Sequence, residues 1–267
     1  MKRKTLITMT LAGLVLTAGT LAAQVELAPY INIHYDRVDP AQMQAWEANG
    51  KEWVEAFSGA KVGKEFYWRA YQSGFSYAWV SDMPDYAFLD LRDAQNEMLN
   101  EKLGEEKMAA LAAGGGSAVI EHYNEIWKYE PDLTYMPAGF NPDAMGAINV
   151  AVVDIKPSMG KEYRELVKEA IEALAKVEAP VNFFGYSTPY GAGSYAFVSW
   201  GENRAGLHSG PEIGALLGEA EGAEKAQEMF ARYMNCVAAE EDRDWRVRSD
   251  LAYMSDGEMM QKEEPAE

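Results

Sequence analysis

Apolar positions in the second half of the chain follow two spacings, one typical of strands and one typical of helices. The β-branched run NVAVVDI (149–155) predicts a strand, and residues 158–179 carry apolar side chains at helical spacing on one face. That face consists of Tyr163, Leu166, Val167, Ala170, Ile171, Leu174 and Val177. Two strands around a glycine-containing turn follow (181–200), then a long helical stretch (211–239) and a last strand (244–254). The predicted order is βαββαβ.

The first half predicts the same order of elements. The inner face of its first helix consists of Met43, Trp46, Gly50, Trp53, Val54 and Phe57, and Asp39 and Pro40 suit the start of that helix. The halves differ at Gly114-Gly115-Gly116, which stands where the second half has Arg232, Tyr233 and Met234. We expect the helix to break there and a new helix, capped by Ser117, to carry Ile120, His122, Tyr123 and Trp127.

Similar segments recur at one offset along the chain. SYAWVS (76–81) matches SYAFVS (194–199), and WKYEPDLTYM (127–136) matches WRVRSDLAYM (245–254), each pair 118 residues apart. Two matches at one offset indicate a duplication. The same offset places INIHYDRVDP (31–40) over 149–158, which pairs Asp36 with Asp154, and EFYWRAY (65–71) over 183–189. The segment AGFNPDAMGA (138–147) is the natural linker between the copies.

The repeated SYA(W/F)VS strand is apolar on both faces. Tyr77 and Trp79 point to one side of the sheet, and Ala78 and Val80 to the other. Helices of a βαββαβ unit cover one face of its sheet only. The second face therefore needs another cover, and the other copy of the unit is the evident one.

This tandem arrangement resembles the dimeric α/β-barrel superfamily, which includes monooxygenases of the antibiotic-biosynthesis type, haem-degrading enzymes and chlorite-dismutase-like proteins. The resemblance implies an α+β fold in which two tandem ferredoxin-like βαββαβ repeats form an intramolecular pseudo-dimer. The first repeat is expected at 24–140 and the second at 141–256, with a signal peptide at 1–23 and a flexible acidic tail at 257–267.

The N-terminus predicts export. A basic start at residues 2–4, an apolar run and small residues before Ala22 and Ala23 are typical of a secretory signal peptide cleaved near there. An uncleaved anchor is the alternative, and we expect a periplasmic or secreted protein with no later membrane span. The lone cysteine, Cys236, excludes an intramolecular disulfide and is expected to be buried. A net charge of −18 without a basic cluster argues against nucleic acid as a partner.

Histidines and carboxylates raise the question of haem or metal. Haem-binding members of the superfamily use a helical histidine, which makes His122 the candidate ligand. Glu240 stands at the matching position of the second half, and Ala112 stands where the haem-degrading group has a tryptophan. Asn32 is the possible match to that group's first-strand asparagine. We therefore expect no haem and no other cofactor. The triplet Glu121, His122 and Glu125 is a weak metal candidate, so no metal is expected.

Aromatic residues near the repeated strands form the candidate ligand site. Hydroxyl-bearing rings and a charged group can orient a small aromatic or anionic ligand, although core packing explains the same composition. The candidate residues are Asn32, His34, Tyr67, Arg69, Tyr77, Trp79, His122, Tyr186 and Tyr195. No common catalytic motif occurs, so the expected role is an exported binding or accessory protein without catalysis. The alternative is a monooxygenase or haem-associated enzyme.

Overall fold

A computed structural model describes residues 27–141, 144–191 and 193–254. The predicted signal peptide (1–23) and acidic tail (257–267) lie outside the described residues. Within that part of the chain no helix has the length and apolar character needed to cross a membrane.

The first repeat contains four strands and three main helices in the predicted order. They are β1 (Tyr30–Val38), α1 (Met43–Gly59), β2 (Arg69–Ser73), β3 (Ser76–Met83), α2 (Arg92–Leu103), α3 (Glu105–Gly116) and β4 (Val119–Tyr129). Short 3₁₀ turns lie at Lys64–Phe66 and Tyr86–Leu91.

The second repeat has the same plan. Its elements are β5 (Ala147–Ile155), α4 (Gly160–Lys176), β6 (Phe184–Tyr190), β7 (Tyr195–Gly201), α5 (Arg204–Leu207), α6 (Ile213–Glu221), α7 (Ala223–Cys236) and β8 (Val237–Val247). A 3₁₀ turn at Pro131–Leu133 precedes it. The predicted fold class is confirmed: two βαββαβ repeats are joined in one α+β chain.

The eight strands close into one antiparallel barrel in the order β1-β3-β2-β8-β5-β7-β6-β4. Each repeat supplies four neighbouring strands, and the repeats join where β2 pairs with β8 and β4 pairs with β6. The barrel interior is apolar and contains Trp127 and Trp245 at equivalent positions, with Ile33 and Val198 among the side chains between them. Each repeat therefore covers the inner sheet face of the other, as the strands with two apolar faces predict.

The last strand of each repeat begins earlier than the sequence predicts. Residues 119–129 form β4, so the expected helix after Ser117 does not exist and His122 lies on a strand. The acidic run 240–244, which directly follows the predicted helical stretch 211–239, lies in β8. On β4, successive side chains point to opposite faces, so Glu121 and Glu125 face away from His122. The metal triplet inferred from helical spacing therefore does not converge.

Strand pairing also corrects the alignment of the two repeats. Ile33 pairs with Val80, and Val150 pairs with Val198, so β1 and β5 correspond one position short of the 118-residue offset. The counterpart of Asp36 is consequently Val153, not Asp154. Between β2 and β6 the difference is three positions, because Arg69 pairs with Val80 where Phe184 pairs with Val198. One offset cannot align the whole of the two repeats, because their loops differ in length while the strand pairing is the same in both.

The segment after the last strand of each repeat packs on the other repeat. Leu133 and Tyr135 are buried against the helices of the second repeat, and Leu251 and Tyr253 against those of the first. Backbone hydrogen bonds fix the exchange, with Tyr135 paired to Phe183 in one repeat. These two exchanged tails, 130–136 and 248–254, explain why their sequences recur. Cys236 is buried as predicted, and burial raises the pKa of its thiol.

The exchanged tails carry ion pairs of opposite polarity. In the first repeat, Arg248 Nη1 lies 2.5 Å from Glu47 Oε1 on α1. At the equivalent place in the second repeat, Arg164 Nη1 on α4 lies 3.1 Å from Glu130 Oε2. The hydrogen bond from Arg248 lowers the pKa of the Glu47 carboxyl.

Candidate functional site

A cavity of about 480 Å³ lies between the sheet of the first repeat and the helices α1 and α3. This volume falls within the usual range for small-molecule sites. Four tryptophans form much of its wall, namely Trp46, Trp53, Trp68 and Trp79, together with Asn49, Gly50, Ser81, Leu111, Ala112, Gly115, Gly116 and Val119. We call it the tryptophan cavity.

The glycine triplet at the end of α3 lets this helix lie close to α1. A Cβ atom added at Gly114 would lie 2.3 Å from Asn49 Nδ2, and one at Gly115 would lie 3.0 Å from Asn49 Oδ1. Contacts shorter than about 3 Å require the neighbouring group to move. The triplet therefore permits close helix packing while leaving the space beneath α3 without side chains.

Tyrosines fill the corresponding space in the second repeat. Tyr233, the counterpart of Gly115, lies with its ring 6.1 Å from that of Tyr163, and Tyr163 stacks on Tyr195 at 5.1 Å. Burial raises the pKa of Tyr163 and of Tyr233, so both hydroxyls stay protonated. The difference between GGG and RYM thus changes a packed core into a cavity.

His34 and Asp36 form the polar part of the cavity wall. They alternate along β1 with Ile33 and Tyr35, so they face the helices while the intervening residues face the barrel. His34 Nε2 lies 3.1 Å from Asp36 Oδ1, and Trp79 Nε1 donates to Asp36 Oδ2 at 2.8 Å. On the other side of the ring, His34 Nδ1 lies 2.9 Å from Asn124 Oδ1 on β4.

The pair His34–Asp36 gives the cavity its acid–base capacity. Among the described lining residues, no other side chain is a histidine, a cysteine, a tyrosine or a charged residue. The strand pairing places Ala151 and Val153 at the equivalent positions of the second repeat. The duplication therefore preserved the fold in both copies but left the ionisable pair in the first.

The predicted ligand residues fall into separate places. Two of them, His34 and Trp79, line the tryptophan cavity. Asn32, Tyr77 and His122 lie on the same side of the sheet but outside its lining; Tyr77 donates to Glu47 at 2.5 Å, and the His122 ring lies 5.9 Å from that of His34.

The remaining candidates lie elsewhere. The structure places Arg69 and Tyr186 on the barrel side of the sheet, where both line a smaller interior cavity. Tyr67 reaches the same region and donates to Asp82. Tyr195 belongs to the core beneath α4.

Sequence reasoning missed most of the cavity wall. Asp36 was noted as a repeat position, and Trp46 and Trp53 were noted as the inner face of a helix. The glycine triplet is the sequence feature that could have indicated the cavity. The first repeat has three residues without side chains there, where the second has Arg232, Tyr233 and Met234.

Comparison with solved structures supports the fold and provides names for similar proteins. A proposed monooxygenase from Lactobacillus acidophilus NCFM superposes with a TM-score of 0.50 and 8% identity over 85% of this chain and 96% of its own. An anthrone oxidase-like protein matches at 0.49 with 11% identity, over 82% of this chain and 91% of its own. A proposed chlorite dismutase, TA0507, matches at 0.48 with 12% identity, over 84% and 97%. These are structures of the dimeric α/β-barrel fold, as the sequence resemblance predicts.

Comparisons at the level of sequence found nothing further. No family model matches the chain, and no curated protein matches it.

Two expectations are corrected by these matches. The expectation of a binding or accessory protein without catalysis is contradicted, because the Lactobacillus acidophilus structure that shares the fold is named as a proposed monooxygenase, in line with the enzyme alternative. The expectation of a protein without any cofactor is contradicted as well, since the matches include structures named as chlorite dismutases.

The residues of the tryptophan cavity do not fit an axially ligated haem. A metal ligand needs a ring nitrogen with a lone pair directed at the metal. Both ring nitrogens of His34 lie within 3.1 Å of side-chain oxygens. His122 lies exposed on β4 outside the lining, and among the described residues no cluster of three or more His, Cys, Asp or Glu side chains could hold a metal ion.

Proposed function

We propose that this protein is an enzyme that oxidises a flat, aromatic carbon acid with dioxygen in the tryptophan cavity. The observation that carries the proposal is the His34–Asp36 pair, the one ionisable pair among the described residues of a tryptophan-lined cavity. A monooxygenase activity is also consistent with the name of the Lactobacillus acidophilus structure, with which the chain shares its fold.

The geometry suits substrate deprotonation. A carboxylate holds and orients an imidazole, which is a common arrangement for a general base. In the neutral ring Nε2–H donates to Asp36 and Nδ1 carries the lone pair, and the exposed Asn124 side chain must turn away from Nδ1 before this nitrogen can accept a proton. Protonation of the ring is then stabilised by the adjacent carboxylate. We assign proton acceptance to His34 and its orientation to Asp36.

The tryptophan walls supply binding and exclude water from the reacting carbon. Flat aromatic ligands stack on or pack edgewise against indole rings. Burial of the apolar substrate brings its acidic C–H to the pair while the low-polarity walls keep the resulting carbanion from being reprotonated by solvent.

The overall reaction balances without an external reductant. His34 removes one proton from a CH₂ group flanked by aromatic rings, and the carbanion adds dioxygen to give a hydroperoxide after protonation. Loss of water from the hydroperoxide cleaves its O–O bond and converts the carbon to a carbonyl. One oxygen atom stays in the product, and the other leaves as water with the two hydrogens of the CH₂ group.

Anthrone is the probe for the test, because it is a three-ring carbon acid with such a CH₂ group. Oxygen consumption and the absorbance of the quinone product are followed together, with the uncatalysed rate subtracted. We expect catalysis by the full chain and a decrease of about 100-fold in His34→Gln and Asp36→Asn.

His208→Gln is the matched control, because that histidine is exposed and contacts Asp244 in the second repeat, at 2.8 Å and away from the cavity. The control should keep the full rate. A rate no greater than that of buffer, or equal losses in all three variants, would overturn the proposal.

Export is part of the proposed function and rests on residues 1–23, which have the pattern of a signal peptide. The intact mass of the protein recovered from its native compartment measures this directly. A mass that includes the first 23 residues would contradict cleavage.

A further inference from the structure

A second, smaller cavity lies inside the barrel, on the opposite face of the strands that form the tryptophan cavity. Its volume is about 60 Å³, and its lining includes Arg69, Tyr71, Tyr186 and Trp200 among aliphatic and other aromatic residues. Trp68, directly before β2, lines the tryptophan cavity, whereas Arg69, the first residue of β2, lines the barrel cavity. The two cavities therefore share a strand but not their chemistry.

Two buried N–H groups in this lining have no acceptor. Arg69 Nε and Trp200 Nε1 are both sealed from solvent, and no acceptor among the described residues lies within hydrogen-bond reach of either. Buried donors are almost always satisfied, because leaving one unpaired costs the desolvation of that group. Both donors belong to the wall of one cavity, so a single ligand can satisfy them together.

The wall also contains the hydroxyl groups of Tyr71 and Tyr186, which can both donate and accept hydrogen bonds. Burial raises the pKa of Tyr71 and of Tyr186, while the nearby Arg69 opposes the rise in both cases. Both hydroxyls therefore stay protonated at neutral pH. The guanidinium charge is balanced by Asp82, which accepts from Arg69 Nη2 and from Tyr67. Arg69 Nε takes no part in this ion pair.

The arginine is present in one repeat only. Strand pairing places Phe184 at the position equivalent to Arg69, and Phe184 packs against Trp200 at 6.3 Å between ring centroids. A charged residue at this point is thus not required by the barrel, because the other copy fills the same position with an apolar ring.

We propose that the barrel interior binds one small monovalent anion, held by Arg69 Nε and Trp200 Nε1. Two N–H donors without a protein acceptor favour a ligand that accepts hydrogen bonds. The positive charge of the guanidinium favours a negatively charged ligand. A bound water occupies about 10–15 Å³ of such space, so the cavity holds no more than a few heavy atoms. A nitrate-sized ion meets both requirements.

The test is a titration of the full chain with sodium nitrate, followed by the ¹⁵N–H resonances of Trp200 Nε1 and Arg69 Nε. Sodium gluconate at equal ionic strength is the control salt, because gluconate is too large for the cavity. We expect saturable shifts of both resonances with nitrate and none with gluconate. Shifts that are linear in nitrate, or equal in the two salts, would show that water alone fills the cavity and would overturn the proposal.

Two tryptophan variants distinguish the effect of the Trp200 N–H donor on nitrate binding from the effect of ring size. Trp200→Phe removes the N–H and keeps an aromatic ring, and should weaken nitrate binding about tenfold, as read from Arg69 Nε. Trp245→Phe, in the same lining, makes the same reduction in ring size and should retain the affinity. Equal affinities in both variants would contradict the assignment. The proposal stands or fails independently of anthrone oxidation, because its readout is binding in a different cavity.

Discussion

At the scale of single residues, three glycines decide whether a repeat has a cavity. Gly115 and Gly116 line the tryptophan cavity, and Tyr233, the counterpart of Gly115, brings its ring into the second repeat, whereas Met234 is exposed. Of the three, Gly116 tolerates a side chain, since a Cβ there meets no atom within 4 Å. It is the position at which the cavity can be closed without distorting the helices.

We expect Gly116→Met to abolish ligand binding in the tryptophan cavity without loss of stability. Gly116 lines the cavity and is itself exposed, so a methionine there would obstruct the opening, while replacing a helical glycine stabilises by up to about 1 kcal/mol. The measurement is quenching of tryptophan fluorescence by anthraquinone-2-sulfonate, a flat probe that does not react. A dissociation constant at least about tenfold higher is expected.

Gly59→Met is the control for this substitution. Gly59 is the exposed last residue of α1, and its Cβ also meets no atom within 4 Å. This variant should bind the probe like the unmodified chain. Full affinity in Gly116→Met would contradict the placement of the site.

At the scale of elements, the exchanged tails hold the repeats together through pairs of opposite polarity. Arg248 is 7% exposed and its partner Glu47 is 20% exposed, so water screens this pair weakly. Arg248 also contacts Asp250, and Lys51 lies 3.1 Å from Asp250.

The second repeat uses the same positions with the charges reversed. Arg164 there contacts both Glu130 and Asp132 of the exchanged tail, and Lys168 also contacts Asp132. In the second repeat the acidic tail residues therefore meet Arg164 and Lys168 of α4. In the first repeat Arg248 of the other tail meets Glu47 of α1.

We expect Glu47→Arg to destabilise the protein by about 2–4 kcal/mol, because it places two guanidinium groups together in a weakly screened site. The double variant Glu47→Arg with Arg248→Glu should recover most of this loss, since it recreates the arrangement around Arg164. Urea unfolding at neutral pH measures both. Arg243→Glu, at an exposed pair with Glu241, should change stability by less than about 0.5 kcal/mol. An unfolding curve for the double variant no better than that of Glu47→Arg would refute the exchange.

At the scale of the whole molecule, the reversed pairs determine how the repeats can associate. A homodimer of the first repeat would bring Glu130 against Glu47, and a homodimer of the second would bring Arg248 against Arg164. Both combinations place like charges in contact, whereas the native pairing places opposite charges there.

We expect residues 24–140 and 141–267, produced separately and mixed, to assemble as a 1:1 complex. Neither half should give a stable monomer, because each exposes an inner sheet face and lacks the tail that packs on its helices. Native mass spectrometry reports the composition of the assembly. Folded monomeric halves, or homodimers that persist after mixing, would argue against this prediction.

The sequence alone determined the order of elements in each repeat, the duplication and the burial of both strand faces. These features rest on local periodicity and on self-similarity, which a single chain displays directly. It also marked the glycine triplet as the point of difference between the copies, although the triplet was interpreted as a helix break and not as the roof of a cavity.

Only the tertiary structure decided that residues 119–129 form a strand. β4 is exposed on both faces from Ile120 to Asn124, so its apolar residues do not alternate with polar ones. Ile120, Tyr123 and Trp127 are instead spaced as on one face of a helix. Long-range pairing with β1 overrides that local pattern. The same holds for the site: His34 meets Asp36 through strand alternation, but the walls come from α1, β2, β3 and α3, whose contacts depend on packing between distant parts of the chain. Local patterns indicate which helices and strands form. The space enclosed between them depends on side-chain volumes and strand registers, which are set by contacts between distant segments.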